Sequence, residues 1–238
     1  MGKGLFITGT DTGVGKTFFT CGLAALLKQS DYQVGVMKPA ETGCIDRDGK
    51  PFPDDAFRLK QASGCALPLE KICPYALPDP LAPSVAAERA GMTIDIDRLM
   101  NFYDEISAAH DVTLVEGAGG LLVPLLPNYT YADLARVLKL PVLVVAANRL
   151  GVINHLLLTL EHAAGSGLHV VGYVLNHSES QPSLASETNR QALSTLTAVP
   201  CIGELPYFDR SPSENISSLN LLEDRLELRL IDSVLSLA

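Results

Sequence analysis

The sequence predicts an α/β fold: one domain over 1–238, with a doubly wound, mostly parallel sheet and helices on both faces. Three observations predict it. Short β-rich runs recur at intervals that fit an intervening helix. Most are continuously apolar rather than alternating, as strands covered on both faces require. The first run leads into a glycine-rich turn and then into helical apolar spacing, the unit from which right-handed parallel crossovers are built. A length of 238 residues with 47% hydrophobic and 19% charged residues suits one large globular domain.

Taken in order, Leu5–Thr8 is the first strand, and Lys16–Gln29 follows as a helix with Phe19, Leu23, Leu26 and Leu27 on one side. Val34–Met37 is the second apolar run. Cys73–Ser84 then carries Pro74, Pro78, Pro80 and Pro83, a spacing that forbids a helix and predicts either a fixed loop covering a ligand or a structural crossover. Ile96–Ala109 is helical, with Ile96, Leu99, Tyr103 and Ile106 sharing a face. Strands at Val112–Val115, Val142–Ala146, Val170–Leu175 and Cys201–Gly203 alternate with helices at Val152–Ala164 and Ser183–Thr197. Leu219–Leu237 has leucines at helical spacing, but Glu223, Asp224, Glu227 and Asp232 outnumber Arg225 and Arg229, so it reads as a helix packed on the domain and not as a membrane anchor.

Charge and cysteine usage narrow the function. A net charge of −9 disfavours nucleic acid or an anionic membrane as partner. Five scattered cysteines without a Cys-x-x-Cys predict free thiols in a reducing compartment, and the N-terminus lacks a leader pattern, so a soluble cytoplasmic protein is expected.

Residues placed for chemistry fall at the carboxyl ends of the strands, where open α/β sheets bind ligands. Gly9-Thr10-Asp11-Thr12-Gly13-Val14-Gly15-Lys16-Thr17 is a phosphate-binding loop in the right strand-to-helix context. Its small residues let backbone N–H groups turn toward phosphate, Lys16 reaches the β- and γ-phosphates, and the Thr17 hydroxyl is a natural Mg²⁺ ligand. The strict pattern wants glycine where Thr10 stands. Lys38, just after the second strand, neutralises charge on a transferring phosphoryl group, with Thr42 offering a hydroxyl beyond Pro39. Glu116 ends an apolar strand and is followed by Gly117-Ala118-Gly119-Gly120; such a carboxylate needs a metal or a lysine neighbour. Asp54 and Asp55 begin a helix, and sequence alone does not rank them as ligands. Asn148–His155 is a strand-to-helix junction whose free N–H groups suit a carboxylate, and Asn176 ends a strand with an amide able to meet a purine edge.

In this order the segments resemble the dethiobiotin synthetase family of P-loop NTPases, enzymes of biotin synthesis. The resemblance runs from residue 4 to about 206 through the variant loop at 9–17, Lys38-Pro39 with Thr42-Gly43, Asp55-Ala56, Val115–Gly120, Thr130-Tyr131-Ala132-Asp133, Leu150-Gly151 with Ile153-Asn154-His155, Asn176, and Gly203-Glu204-Leu205-Pro206. It departs at His177, where the family often has an acidic residue, and at the variable position of Gly13. The resemblance implies ATP- and Mg²⁺-dependent ring closure of 7,8-diaminononanoate with CO₂ or bicarbonate. It implies Lys16 and Lys38 as catalytic groups; Gly13, Val14, Gly15, Thr17, Phe18, Gly117, Ala118, Gly119, Asn176, Leu205, Pro206 and Tyr207 around the nucleotide; and Thr17, Asp55 and Glu116 on Mg²⁺. It further implies Thr12 and Thr42 at the diamine, Gly151, Val152, Ile153 and Asn154 at the substrate's carboxylate, and a homodimer in which the partner supplies that last group. Two other readings fit less well: a nucleotide-driven switch, whose signature lysine is replaced by Asp11, and an amidoligase, which needs a glutaminase domain that 238 residues do not accommodate.

Overall fold

A computed structural model describes residues 3–177, 179–208 and 226. Its centre is a six-stranded parallel sheet in the order β12-β11-β10-β1-β7-β2. β1 (Lys3–Gly9) sits in the middle, pairing with β10 (Val142–Ala147) on one side and β7 (Val112–Glu116) on the other. β2 (Val34–Met37) lies outside β7, while β11 (Val170–Asn176) and β12 (Cys201–Leu205) extend the sheet beyond β10. The chain therefore departs from β1 in both directions, and the crevice at its carboxyl end is the place where such sheets bind ligands.

Alternation along β1 divides the core. Leu5 and Ile7 face a cluster built with Phe19 and Leu23 of α1 (Lys16–Gln29) and Leu59 of α2 (Asp54–Ser63). Phe6 faces the opposite cluster, with Leu99 of α5 (Ile96–Ala108), Tyr131 and Leu134 of α6 (Tyr131–Leu138), Leu156 of α7 (Val152–Gly165) and Leu193 of α8 (Leu184–Leu196). Burial of both strand faces explains the uninterrupted apolar runs. Strands and helices lie where the sequence predicts them, and β12 runs two residues further than its apolar core. The predicted helix over Leu219–Leu237 lies outside the described residues, apart from Leu226, which bridges antiparallel to Gly203.

Smaller elements were not legible. β3 (Ala40–Thr42) pairs in parallel with β6 (Tyr75–Leu77), which places a strand inside the proline-rich segment. Pro74 and Pro78 only flank that strand, and Tyr75 and Leu77 are buried, so this part of the segment is a structural crossover. Pro83 opens the short helix α4 (Pro83–Arg89) at a position where a missing N–H costs nothing, so the spacing did not exclude every helical turn. β4 (Ile45–Arg47) and β5 (Lys50–Phe52) form a hairpin whose two loop residues, Asp48 and Gly49, have φ of 57° and 78°, the pair of positive values a type I′ turn needs. α3 (Leu69–Ile72) and the hairpin β8 (Pro124–Leu126) with β9 (Tyr129–Thr130) complete the elements. Thr130 and Asp133 form a capping box that starts α6, which gives the Thr-Tyr-Ala-Asp segment a structural role.

Candidate active site

The loop between β1 and α1 is built for an anion. Gly9 N–H donates to Gly119 O (3.3 Å) and Thr10 N–H to Val145 O (3.0 Å), tying the loop to both neighbouring strand ends. α1 has neither a side-chain cap nor an acidic residue in its first turn, so its leading N–H groups and dipole face the crevice. Gly15 holds a left-handed φ of 94°, and a Cβ there would stand 2.1 Å from Asn176 Nδ2. That amide donates to Val14 O (2.8 Å), so Asn176 braces the loop. Gly15→Ala is therefore expected to displace Asn176, strain the backbone by about 1–3 kcal/mol and weaken nucleotide binding. Isothermal calorimetry with ADP is the check; unchanged affinity would mean that nucleotide binds a different loop conformation.

A second group of charges gathers beside the loop. Lys38 Nζ lies 2.5 Å from Glu116 Oε1 and 3.3 Å from Asp55 Oδ2, and Thr17 Oγ1 donates to the same Glu116 oxygen (2.8 Å). Strand register explains the meeting: β2 and β7 are adjacent, so residues leaving their carboxyl ends share one crevice. Burial by itself would lower the Lys38 pKa, but Glu116 and Asp55 overcome it and hold it well above the usual lysine range. Burial likewise opposes ionisation of Asp55, and the Lys38 charge and hydrogen bond reverse this and hold its carboxyl below the ordinary value. Lys16 Nζ donates to Asp11 O (3.0 Å); burial first, and the Lys38 charge second, lower its pKa to about 8. The two ammonium groups thus feel one another in one crevice.

Glu116 Oε2 is buried and has no hydrogen-bond partner among the described residues. An open carboxylate oxygen next to the Thr17 hydroxyl and Asp55 fits a small hard cation, which takes one or two carboxylates and completes its shell with phosphate and water. Among the described residues no group of three His, Cys, Asp or Glu side chains forms a metal cage. Helix phase separates the adjacent aspartates: Asp54 pairs outward with Arg58 (2.8 Å), while Asp55 faces Lys38.

The remaining predicted residues surround this centre. Gly117 N–H donates to Ile7 O, and Gly119, with φ of 65°, brings its backbone close to the Thr12 hydroxyl. Ala118 is half-buried between them. Thr42 ends β3, and Gly43 N–H is held by Asp79 O of the proline segment. Phe18 packs against Phe208 with ring centroids 4.6 Å apart and planes tilted by 38°, and Pro206 and the exposed Tyr207 precede Phe208 in the chain. Gly151, with φ of 96°, precedes α7, whose start carries Val152, Ile153 and Asn154 without a side-chain cap. Sequence reasoning assigned no role to Glu41, Phe208 or Asn189. Glu41 was within reach, as an acidic residue inside the Lys38 segment that packing buries. Asn189 donates to Asn148 Oδ1 (2.8 Å) and to Arg149 O (3.2 Å), a buried network beneath the α7 junction that pairs residues 41 positions apart. A cavity of about 710 Å³ lies at the other pole, lined among others by Tyr103, Leu140 and Leu168, and contains none of these residues.

Comparison with known proteins accords with this geometry. A family model described as an AAA domain matches residues 3–215. The ATP-dependent dethiobiotin synthetase BioD of Bacillus licheniformis is 40% identical over 229 residues, covering 96% of this chain and 95% of that one. The chain belongs to the dethiobiotin synthetase family. Its relatives of the same name from Anaeromyxobacter sp. strain K and Bacillus subtilis are 43% and 37% identical, and the match covers 86% and 96% of this chain and 90% and 97% of theirs. More distant solved structures share the fold: the kinase domain of Escherichia coli tyrosine kinase ETK (TM-score 0.50, 20% identity, 76% of this chain and 69% of that one) and the signal recognition particle receptor FtsY of Elizabethkingia anophelis (TM-score 0.51, 13% identity, 99% and 66%). Among the described residues of this dethiobiotin synthetase family member, no helix is long and apolar enough to cross a membrane.

Proposed function

We propose that the chain catalyses the dethiobiotin synthetase reaction, the ATP-dependent closure of 7,8-diaminononanoate and CO₂ into a cyclic urea with release of ADP and phosphate. The observation that carries this reading is the convergence of Lys38, Asp55, Glu116 and Thr17 beside the Lys16 loop, in a chain 40% identical to a relative of that name. One amine of the substrate adds CO₂ as a carbamate. A carbamate oxygen attacks the γ-phosphorus, forming an O–P bond as the bond to ADP breaks; the second amine then attacks the carbamate carbon, loses its proton and expels phosphate.

Positioning and charge neutralisation carry such a transfer. Lys16 and the α1 N-terminus hold the β- and γ-phosphates, while Lys38 bridges carbamate and γ-phosphate. Thr12, Thr42 and the backbone of Gly117–Gly119 orient the diamine. Phe18, Asn176, Leu205, Pro206 and Tyr207 flank the base. Thr17, Asp55 and Glu116 hold Mg²⁺, which supplies charge neutralisation at the phosphates. The uncapped start of α7 (Gly151–Asn154) suits the substrate's carboxylate, delivered across a homodimer interface. Leu150 and Leu158, 86% and 57% exposed on that junction and helix, are apolar surface of the kind such an interface covers. Activity is assigned to the cytoplasm, where free thiols such as Cys44 and Cys73 stay reduced.

The test is phosphate release with ATP and Mg²⁺ in the presence of diaminononanoate, bicarbonate, both or neither. Release is expected only with both. Hydrolysis indifferent to the diamine and stimulated by a protein partner would replace this reading with a nucleotide switch.

A further inference from the structure

Helix α2 has an unusual beginning. A helix start needs acceptors for its first N–H groups, and the residue before this one, Pro53, has no acceptor on its side chain. The acceptors come from another element. Glu41 of β3 takes both: its Oε1 accepts from Asp55 N–H and its Oε2 from Ala56 N–H, each at 2.9 Å. The carboxylate is buried, and β3 is itself fixed by pairing with β6.

Two bonds from one rigid carboxylate set both the position and the rotation of the first helical turn. Asp55 leaves that turn toward Lys38 Nζ, whereas Asp54, one residue earlier, turns out to Arg58. A rotation of the turn by one residue would exchange them. A local cap at position 53 would satisfy the same N–H groups without tying α2 to the strand segment that carries Lys38. We propose that Glu41 is a positioning residue that aims Asp55 into the nucleotide site and thereby sets the divalent-cation affinity there. The inference rests on the reading of Asp55 as a cation ligand. It also gives the Lys38–Thr42 segment an internal logic: one strand end supplies the phosphate cation, the anchor for its counter-ion and a substrate hydroxyl.

The experiment compares ADP binding by calorimetry with Mg²⁺ and in EDTA, together with Tm, for the full chain and its E41A, E41Q, D55A and E41A/P53S variants. Groups that orient metal ligands typically contribute about 10- to 100-fold in metal affinity. E41A is expected to lose ADP affinity by about that factor in Mg²⁺ and not in EDTA, because the phosphate loop is untouched. E41Q, which keeps one acceptor, falls between and serves if E41A does not fold. Pro53→Ser in the E41A background is expected to restore Tm by supplying an ordinary cap while leaving the Mg²⁺ defect. Rescue of both would make Glu41 a plain helix cap and overturn the proposal. Intact Mg²⁺ dependence in E41A with its loss in D55A would overturn the proposal and leave the cation site standing. Intact dependence in both would remove Asp55 from the cation as well.

Discussion

Lys38→Ala is expected to lower turnover by about 10³-fold or more while ADP still binds, since one preorganised charge at a transferring phosphoryl group contributes on that scale. The ammonium is buried and held between Glu116 and Asp55, which keep its pKa high. It therefore stays charged throughout the working pH range and supplies no pH dependence of its own. Removing it also takes away the ammonium in contact with the buried Glu116, and breaking a buried pair typically costs about 3–5 kcal/mol, so a lower Tm is expected in the nucleotide-free protein. Lys38→Arg separates the two effects. It keeps the charge and most of the stability, but its planar fork does not reproduce a compact ammonium at one shared oxygen cluster. Single-turnover phosphate release measures the chemistry and ADP calorimetry the binding. Parent-like turnover in Lys38→Ala would remove this residue from the reaction.

The second large effect concerns Lys16. Its pKa in the free protein is lowered to about 8, first by burial and then by Lys38. Phosphates bound beside it raise that value, so above about pH 8 nucleotide binding must take up a proton. Metal-free ADP affinity is expected to be level between about pH 7, above the titration of the ADP phosphate itself, and about pH 8, and to fall by up to about tenfold per unit above that, the slope that linkage to one proton requires. For folding the sign is opposite: the unfolded chain, with the ordinary value of 10.5, binds more protons between about 8 and 10.5, so this group's contribution to stability rises with pH over that window. Lys16→Ala is expected to reduce ADP binding below detection and to abolish turnover. Calorimetry in two buffers of different ionisation enthalpy reads the proton directly. Proton uptake persisting in Lys16→Ala would assign the titration to another group.

Much of this was legible in the chain itself. Apolar runs placed the six main strands because burial on both faces leaves no room for alternation, and 3.6-residue spacing placed α1, α5, α7 and α8 to within a residue or two. The loop at Gly9–Thr17 was legible because its chemistry is local: small residues, a lysine and a hydroxyl must be neighbours in sequence to form one anion cradle. Glu116 was legible by the cost of a lone charge at the end of a buried strand, and its predicted cation proved to be Lys38, 78 residues away. The short strands β3 and β6 were not legible, since three-residue segments carry too little pattern and their pairing spans 35 positions.

By itself, then, the sequence determined the sheet, the helices that cover it and the identity of the phosphate loop, because each of these is written in residues within one turn or one strand of each other. Only the tertiary structure decided that Asp55 and not Asp54 faces Lys38, that Glu41 holds that choice in place, that Asn176 braces Val14, and that Phe208 joins Phe18. The physical reason is common to all four. Strand register and helix rotation set which side chains share a crevice, and both are fixed by packing summed over the whole core, a quantity no local stretch of the chain contains.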